Sequence, residues 1–453
     1  MDDEQVRQRR RRSRARSRRR RQEEKRRRFL ILFLAVLAAA ILAAAILAAA
    51  GALSGDRGGK REEAGLIHPE QLPGDDTGIG LGESRKNPGQ ESKADDRISG
   101  SAGTAENLPA SMTLEEKIFQ LFMVTPEALT GYDEVYMAGE MTKDALWERP
   151  TGGIIYFSQN LKDEAQTKEM LSKTAQYGTE RSGVPPFLAV DEEGGQVARI
   201  SGKEGFSLTA FPDMSTIGAS GDERKAFETG DSIGRYLAEL GFDMDFAPVA
   251  DVFTNPDNTV AARRAFGSDA ALVSRMVSQE VKGLKKHGVS PVLKHFPGHG
   301  GTAEDSHETK PVLHRTLEEL KQTELLPFAA GIESGADFVM VGHISVPEVE
   351  EDGRPAVFSR IFVTDVLRKQ MGFEGIIITD AMNMGAVTES YDSGEAAVAA
   401  LLAGVDMILM PEDFEAAVQA VKAAVEEGTL TEKRIDESVM RIWKLKKEKK
   451  QAK

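Results

Sequence analysis

Residues 292–307 read VLKHFPGHGGTAEDSH, a short apolar run that ends in Lys294-His295 and spills into a segment dense in Gly, Pro and His. Three of the chain's seven histidines (His295, His299 and His307) fall inside it, with Pro297, three glycines and the acids Glu304 and Asp305. Gly and Pro at this density break helix and strand alike, so the run after His295 reads as a shaped loop on which side chains converge. The unit is therefore a buried strand delivering charged residues into a ligand-facing loop.

Working outward, the same unit recurs. Apolar runs predict strands at 121–124, 153–157, 187–190, 242–248, 292–295, 338–341, 376–379 and 407–410, with helical periodicity at 162–181, 269–287, 317–333 and 412–426 and a last helix at 431–447. Strands that are apolar throughout, alternating with helices, predict a parallel α/β sheet with both faces covered. Eight strands fit a closed (β/α)₈ TIM-type barrel in a single folded domain over 108–453; an open doubly wound sheet is the alternative.

In such a barrel, chemistry gathers where strands run out into their loops. Asp191 follows the third run, Lys294 and His295 end the fifth, and Asp380 follows the seventh. Burying a charge directly after an apolar run is costly without a partner, and three strand ends share this pattern. Taken singly, Asp380 also suits a helix N-cap. Arg199 and Arg264, in the loops after strands three and four, add cationic donors suited to a polar ligand or to surface ion pairs. His343 ends the sixth run and either lines the pocket or is structural; Met382 and Met384 read as packing residues.

Charge is unevenly spread. The formal net charge is −14, yet residues 1–28 carry 15 basic and 5 acidic side chains, so the remainder is strongly acidic. An acidic body argues against nucleic-acid binding. The uncharged 25-residue run at 29–53 is long enough to span a bilayer, and the Arg-rich flank predicts a cytoplasmic start with everything beyond residue 53 outside. A cleaved signal sequence is the alternative. Residues 54–107, rich in Gly, Ser, Pro and charge, read as a disordered linker. The expected organisation is a basic cytoplasmic segment (1–28), a transmembrane signal-anchor (29–53), that linker, and an extracytoplasmic catalytic domain. With no cysteine in the chain, disulfides are ruled out.

VDEEGGQVAR (190–199), KHFPGHGGTAEDSH (294–307) and ITDAMNMGA (378–386) resemble, in order and spacing, the motifs of family 3 glycoside hydrolases, in the single-domain β-N-acetylglucosaminidase branch. The likeness spans roughly 112–445. It implies a (β/α)₈ barrel, retention at the anomeric carbon, and no metal or organic cofactor. Asp380 is then the expected nucleophile, His307 the general acid/base, and Asp305 the group that orients His307; Asp191, Arg199, Arg264, Lys294 and His295 are expected to hold the sugar. The implied substrate is an N-acetylglucosamine-containing glycan, with peptidoglycan fragments (muropeptides) favoured by the outward topology. A histidine as acid/base departs from the usual pair of carboxylates, but it titrates near neutrality without a large imposed shift. Gly301 stands where an acid is frequent in the family, and Ala265 where a Ser is frequent.

Three rival readings belong beside this one. A metal hydrolase would use His295, His299 and His307 as ligands, although their spacing does not suit a helix-borne pair. A sugar-binding surface protein would have lost catalysis. A phosphorylase would keep the fold and replace water by phosphate.

Overall fold

The computed structural model describes residues 112–303 and 310–452. The expected basic segment, membrane span and linker lie outside the described residues, as do Asp305 and His307. Among the described residues no helix is long and apolar enough to cross a membrane.

Eight parallel strands form one sheet: β1 Phe122–Val124, β2 Gly153–Ile155, β3 Phe187–Val190, β4 Met244–Asp245, β5 Ser290–Phe296, β6 Phe338–Val341, β7 Ile376–Thr379 and β8 Ile408–Leu409. Each strand pairs with its sequence neighbour from β1 to β7, and β8 returns to pair with β1. The remaining seam, between β7 and β8, is bridged at Ile378 and Met407, where Thr379 N–H donates to Met407 O (3.0 Å) and Asp406 N–H to Ile377 O (2.8 Å). The ring is thus brought nearly to closure. Every strand residue is buried, as expected where helices cover one face of a barrel and packed side chains fill the other.

The helices follow from spacing and caps. Glu223–Leu240 buries Ala226, Ile233, Leu237 and Leu240 along one stripe, starts on an Asp222 cap and stops at Gly241 in the left-handed region (φ 106°). It packs against Ala270–Lys285 through Gly230 and Gly283. A β-carbon on Gly230 would sit 2.4 Å from Glu280 O, and one on Gly283 would sit 2.5 Å from Asp231 N, so only glycine allows this approach.

Two expectations are corrected. The predicted strand 242–248 shrinks to Met244–Asp245, because Asp243 turns its carboxylate to the Leu188 N–H (2.9 Å) and Pro248 has no N–H to offer a ladder. The predicted helix 317–333 is two helices, Leu317–Gln322 and Leu325–Glu333, broken at Thr323. Pro327 has no N–H to donate to the Thr323 carbonyl, so a continuous helix cannot run through this point.

Candidate active site

The loop after β3 is shaped by one buried carboxylate. Glu192 accepts from the Arg199, Ile200 and Ser201 N–H groups (2.6, 3.0 and 2.8 Å) and from the Tyr236 hydroxyl (2.9 Å). This fixes the turn that presents Asp191, Glu193 and Arg199. Glu193 is buried and takes a two-point contact from Arg264 (Nε–Oε2 2.8 Å, Nη2–Oε1 2.6 Å) while Lys294 Nζ lies 2.6 Å from Oε1. Lys294 also reaches Asp191 Oδ1 at 2.9 Å, and Arg199 Nη2 stands 3.5 Å from Asp191 Oδ2. Burial alone would push the Glu193 carboxyl up; Arg264 and Lys294 outweigh it and hold the group well below the usual carboxylate range. Burial would likewise lower Lys294, yet Asp191 and Glu193 keep it above its ordinary value.

A second knot forms around Asp251, in the loop after β4. Its Oδ1 accepts from the His295 and His299 N–H groups (3.2 and 2.6 Å), and its Oδ2 lies 2.8 Å from His295 Nδ1. The other ring nitrogen of His295 is 3.3 Å from Arg264 Nη2. With one nitrogen on a carboxylate and the other beside a guanidinium, His295 is placed to hold a polar ligand and poorly placed to ligate a metal. His299 Nδ1 meets Thr302 Oγ1 at 2.9 Å, and burial lowers its pKa against the pull of Asp251.

Asp380 leaves β7 half-buried. Its N–H donates to Val341 O (2.9 Å), continuing the ladder with β6, and its Oδ1 accepts the Ala381 N–H (2.7 Å). Burial raises the carboxyl, but the His295 and His343 rings, the Ala381 N–H and Lys294 together bring it below its ordinary value. It therefore stands ionised, which suits a nucleophile and not a proton donor. His343 is fully buried, with Nε2 3.0 Å from Ala381 O, on the backbone that carries Asp380.

Six of the eight expected site residues (Asp191, Arg199, Arg264, Lys294, His295 and Asp380) are joined by direct contacts or by electrostatic coupling at the C-terminal ends of the strands. Arg263, beside Arg264, instead pairs with Asp213. Met382 and Met384 are buried, in keeping with packing. His287 and His314 lie apart, against Asp231 and Glu348. Asp251 was missed. Its signal was a charged residue at the end of FAPVAD, the same pattern that singled out Asp380, hidden because strand pairing ends before it. Glu193 was quoted with its motif but not singled out, although it anchors both cations.

A nearly closed parallel ring, with an ionised half-buried carboxylate beside a dense network of acids and bases at its mouth, defines a barrel enzyme built to act on a polar substrate. The model of the glycosyl hydrolase family 3 N-terminal domain matches residues 113–445, and the chain belongs to that family. A β-hexosaminidase of Hydrogenovibrio crunogenus is 35% identical over 300 residues, 65% of this chain and 81% of that protein. β-Hexosaminidase A of Pseudoalteromonas piscicida is 32% identical over 318 residues, 65% of this chain but only 53% of its own length. The solved structure of a family 3 β-N-acetylglucosaminidase from Paenibacillus superposes with a TM-score of 0.71 at 37% identity, covering 76% of this chain and 64% of that one.

Proposed function

We propose that this chain is a retaining β-N-acetylhexosaminidase that removes N-acetylglucosamine from the non-reducing ends of glycans, with peptidoglycan fragments as its natural substrate. The observation that carries the reading is Asp380: a half-buried carboxylate at the end of β7, its N–H on Val341 O (2.9 Å) and its Oδ1 on the Ala381 N–H (2.7 Å), which against the upward push of burial is held below its ordinary pKa by the His295 and His343 rings and Lys294. The names of the Hydrogenovibrio and Paenibacillus relatives support the sugar assignment. The run at 29–53 supports anchorage to the cell membrane with the barrel outside, where wall fragments are met.

The terminal sugar is held by hydrogen bonds that Asp191 accepts from its hydroxyls and that Lys294 and Arg264 donate to them, with His295 beside them and Arg199 steadying Asp191. Asp380 attacks the anomeric carbon as His307 protonates the departing oxygen, giving a glycosyl ester on Asp380. His307 then takes a proton from water, which attacks the same carbon, and the carboxylate leaves. Two inversions give net retention. Asp305, two residues before His307 in the chain, is the group assigned to assist it.

Acid quench during turnover of an activated aryl N-acetylglucosaminide, followed by peptide mass spectrometry, is expected to find the sugar on Asp380. Inverted product, or turnover surviving Asp380→Ala, removes the reading. Carrying the assay through with and without phosphate separates free N-acetylglucosamine from a sugar phosphate. His307→Ala is expected to slow substrates with poor leaving groups more than those with good ones; equal losses would remove the acid/base role.

A further inference from the structure

Seven large apolar side chains are strongly exposed among the described residues, and five of them (Tyr132, Tyr136, Met137, Met141 and Trp147) fall within one 16-residue stretch between β1 and β2. Trp147 sits at the end of the helix Glu140–Glu148 that leads back to the N-terminal side of the barrel. The other four lie at or before its start, on the side where strands deliver the active site.

This stretch is held firmly. Glu127 Oε1 accepts from the Val135 N–H (3.2 Å) and from Asn160 Nδ2 (2.6 Å), Asn160 Nδ2 also donates to Val135 O (2.7 Å), and Gln166 Nε2 donates to Tyr136 O (2.6 Å). Lys162 Nζ lies 3.3 Å from the centre of the Tyr136 ring. Chain so pinned keeps Tyr132, 52% exposed, and Met137, 66% exposed, out in water.

The patch is also continuous with the sugar site. Asn160 ends the turn Ser158–Asn160 that follows Phe157; the Arg199 guanidinium lies over the Phe157 ring (5.5 Å), and Ser158 Oγ donates to Arg199 O (3.3 Å). Arg199 in turn meets Asp191. Contacts therefore run unbroken from the proposed sugar-holding cluster to the exposed aromatic loop.

We propose that Tyr132 and Met137, backed by Tyr136, form a platform for the sugar units on the leaving-group side of the scissile bond, so that the enzyme favours oligosaccharides over single-sugar glycosides. This rests on the hydrolase reading and adds a subsite to it. Rings and a thioether suit the apolar C–H face of a pyranose, and the Asp133 and Glu134 carboxylates beside them suit its hydroxyl rim. The same acids make the patch a poor match for an anionic membrane.

The test compares a tetramer of β-1,4-linked N-acetylglucosamine with a nitrophenyl N-acetylglucosaminide, whose leaving group ends one ring beyond the bond. In the full chain, Tyr132→Ala combined with Met137→Ala is expected to lower kcat/KM for the tetramer about tenfold and to leave the nitrophenyl substrate within about twofold, with Tyr132→Phe close to wild type. An unchanged ratio of the two substrates overturns the platform. If the wild type cleaves neither substrate, the hydrolase reading has failed. Calorimetry with the tetramer then decides: binding weakened in the double variant sustains the platform, and absent or equal binding removes it.

Discussion

From the loop after β4, Asp251 ties down the end of β5 and its loop, accepting from the His295 and His299 N–H groups and facing His295 Nδ1 across 2.8 Å. Asp251→Asn puts an amide donor or a weaker acceptor against that ring and frees it to turn. Charge-assisted hydrogen bonds of this kind contribute roughly 1.5–3 kcal/mol, so kcat/KM is expected to fall about 10- to 100-fold, mostly through KM. Arg264 is a second such position. Its two-point contact with Glu193 matches a guanidinium and not an ammonium, so Arg264→Lys is expected to lower kcat/KM by about tenfold or more while the chain stays folded. The variant should also shift acid sensitivity. Glu193 is depressed in the folded state, so its stabilisation is fully present above the ordinary carboxylate value and is lost progressively as pH falls from that value towards the depressed one. Weakening the pair moves that loss to higher pH, visible as a raised acid-unfolding midpoint by circular dichroism.

The helix Ala270–Lys285 carries a feature that sequence periodicity conceals. Glu280 is almost fully buried on it, neither carboxylate oxygen has a hydrogen-bond partner in the structure, and burial, reinforced by Glu193, pushes its pKa up to about 8. A raised acid costs stability: between its unfolded value and about pH 8 the unfolded chain releases a proton that the folded chain retains, so the cost grows across that window and then levels off. Glu280→Gln removes the titration. The variant is expected to match wild type near pH 4 and to exceed it by about 1–3 kcal/mol at pH 8, read as a Tm difference that widens with pH. A gap that stays constant with pH would contradict this account. In the opposite direction, Gly283→Ala forces a methyl into the Asp231 backbone and is expected to cost about 2–4 kcal/mol. Elements were legible where local pattern and tertiary role coincide: β3, β6 and β7 appear at their predicted limits because each run stops sharply, at Asp191, Gly342 and Asp380. β4 and the split helix were not, since a buried carboxylate and a proline decide them through partners distant in sequence or through one missing N–H. For the same reason the sequence shows isolated strand-end charges, while the pairing of Glu193 with two cations and of Asp251 with His295 and His299 emerges only once β3, β4 and β5 lie side by side.

Across the barrel, the buried Asp406 network and the charged cluster around Glu193 and Asp251 lie at opposite ends of the strands. At the foot of the ring Asp406 is fully buried and accepts from Arg368 (2.6 Å), Arg441 (3.0 Å), Ser438 (2.6 Å) and the Ile377 N–H of β7 (3.0 Å). It staples the β7–β8 seam, where β8 contributes only two residues. Asp406→Asn strands three arginines around a neutral group and is expected to cost about 3–5 kcal/mol while leaving KM unchanged at temperatures where the protein stays folded. The mouth is divided again. The acid–base network comes from the consecutive loops after β3, β4 and β5, whereas Asp380 arrives on β7 with His343 of the β6 end beneath it. Such a layout lends itself to recombination: exchanging the stretch from β6 to β7 with a family member should replace Asp380 and its supports while leaving the acid–base network in place, so that the two halves of the mouth can be varied as separate traits.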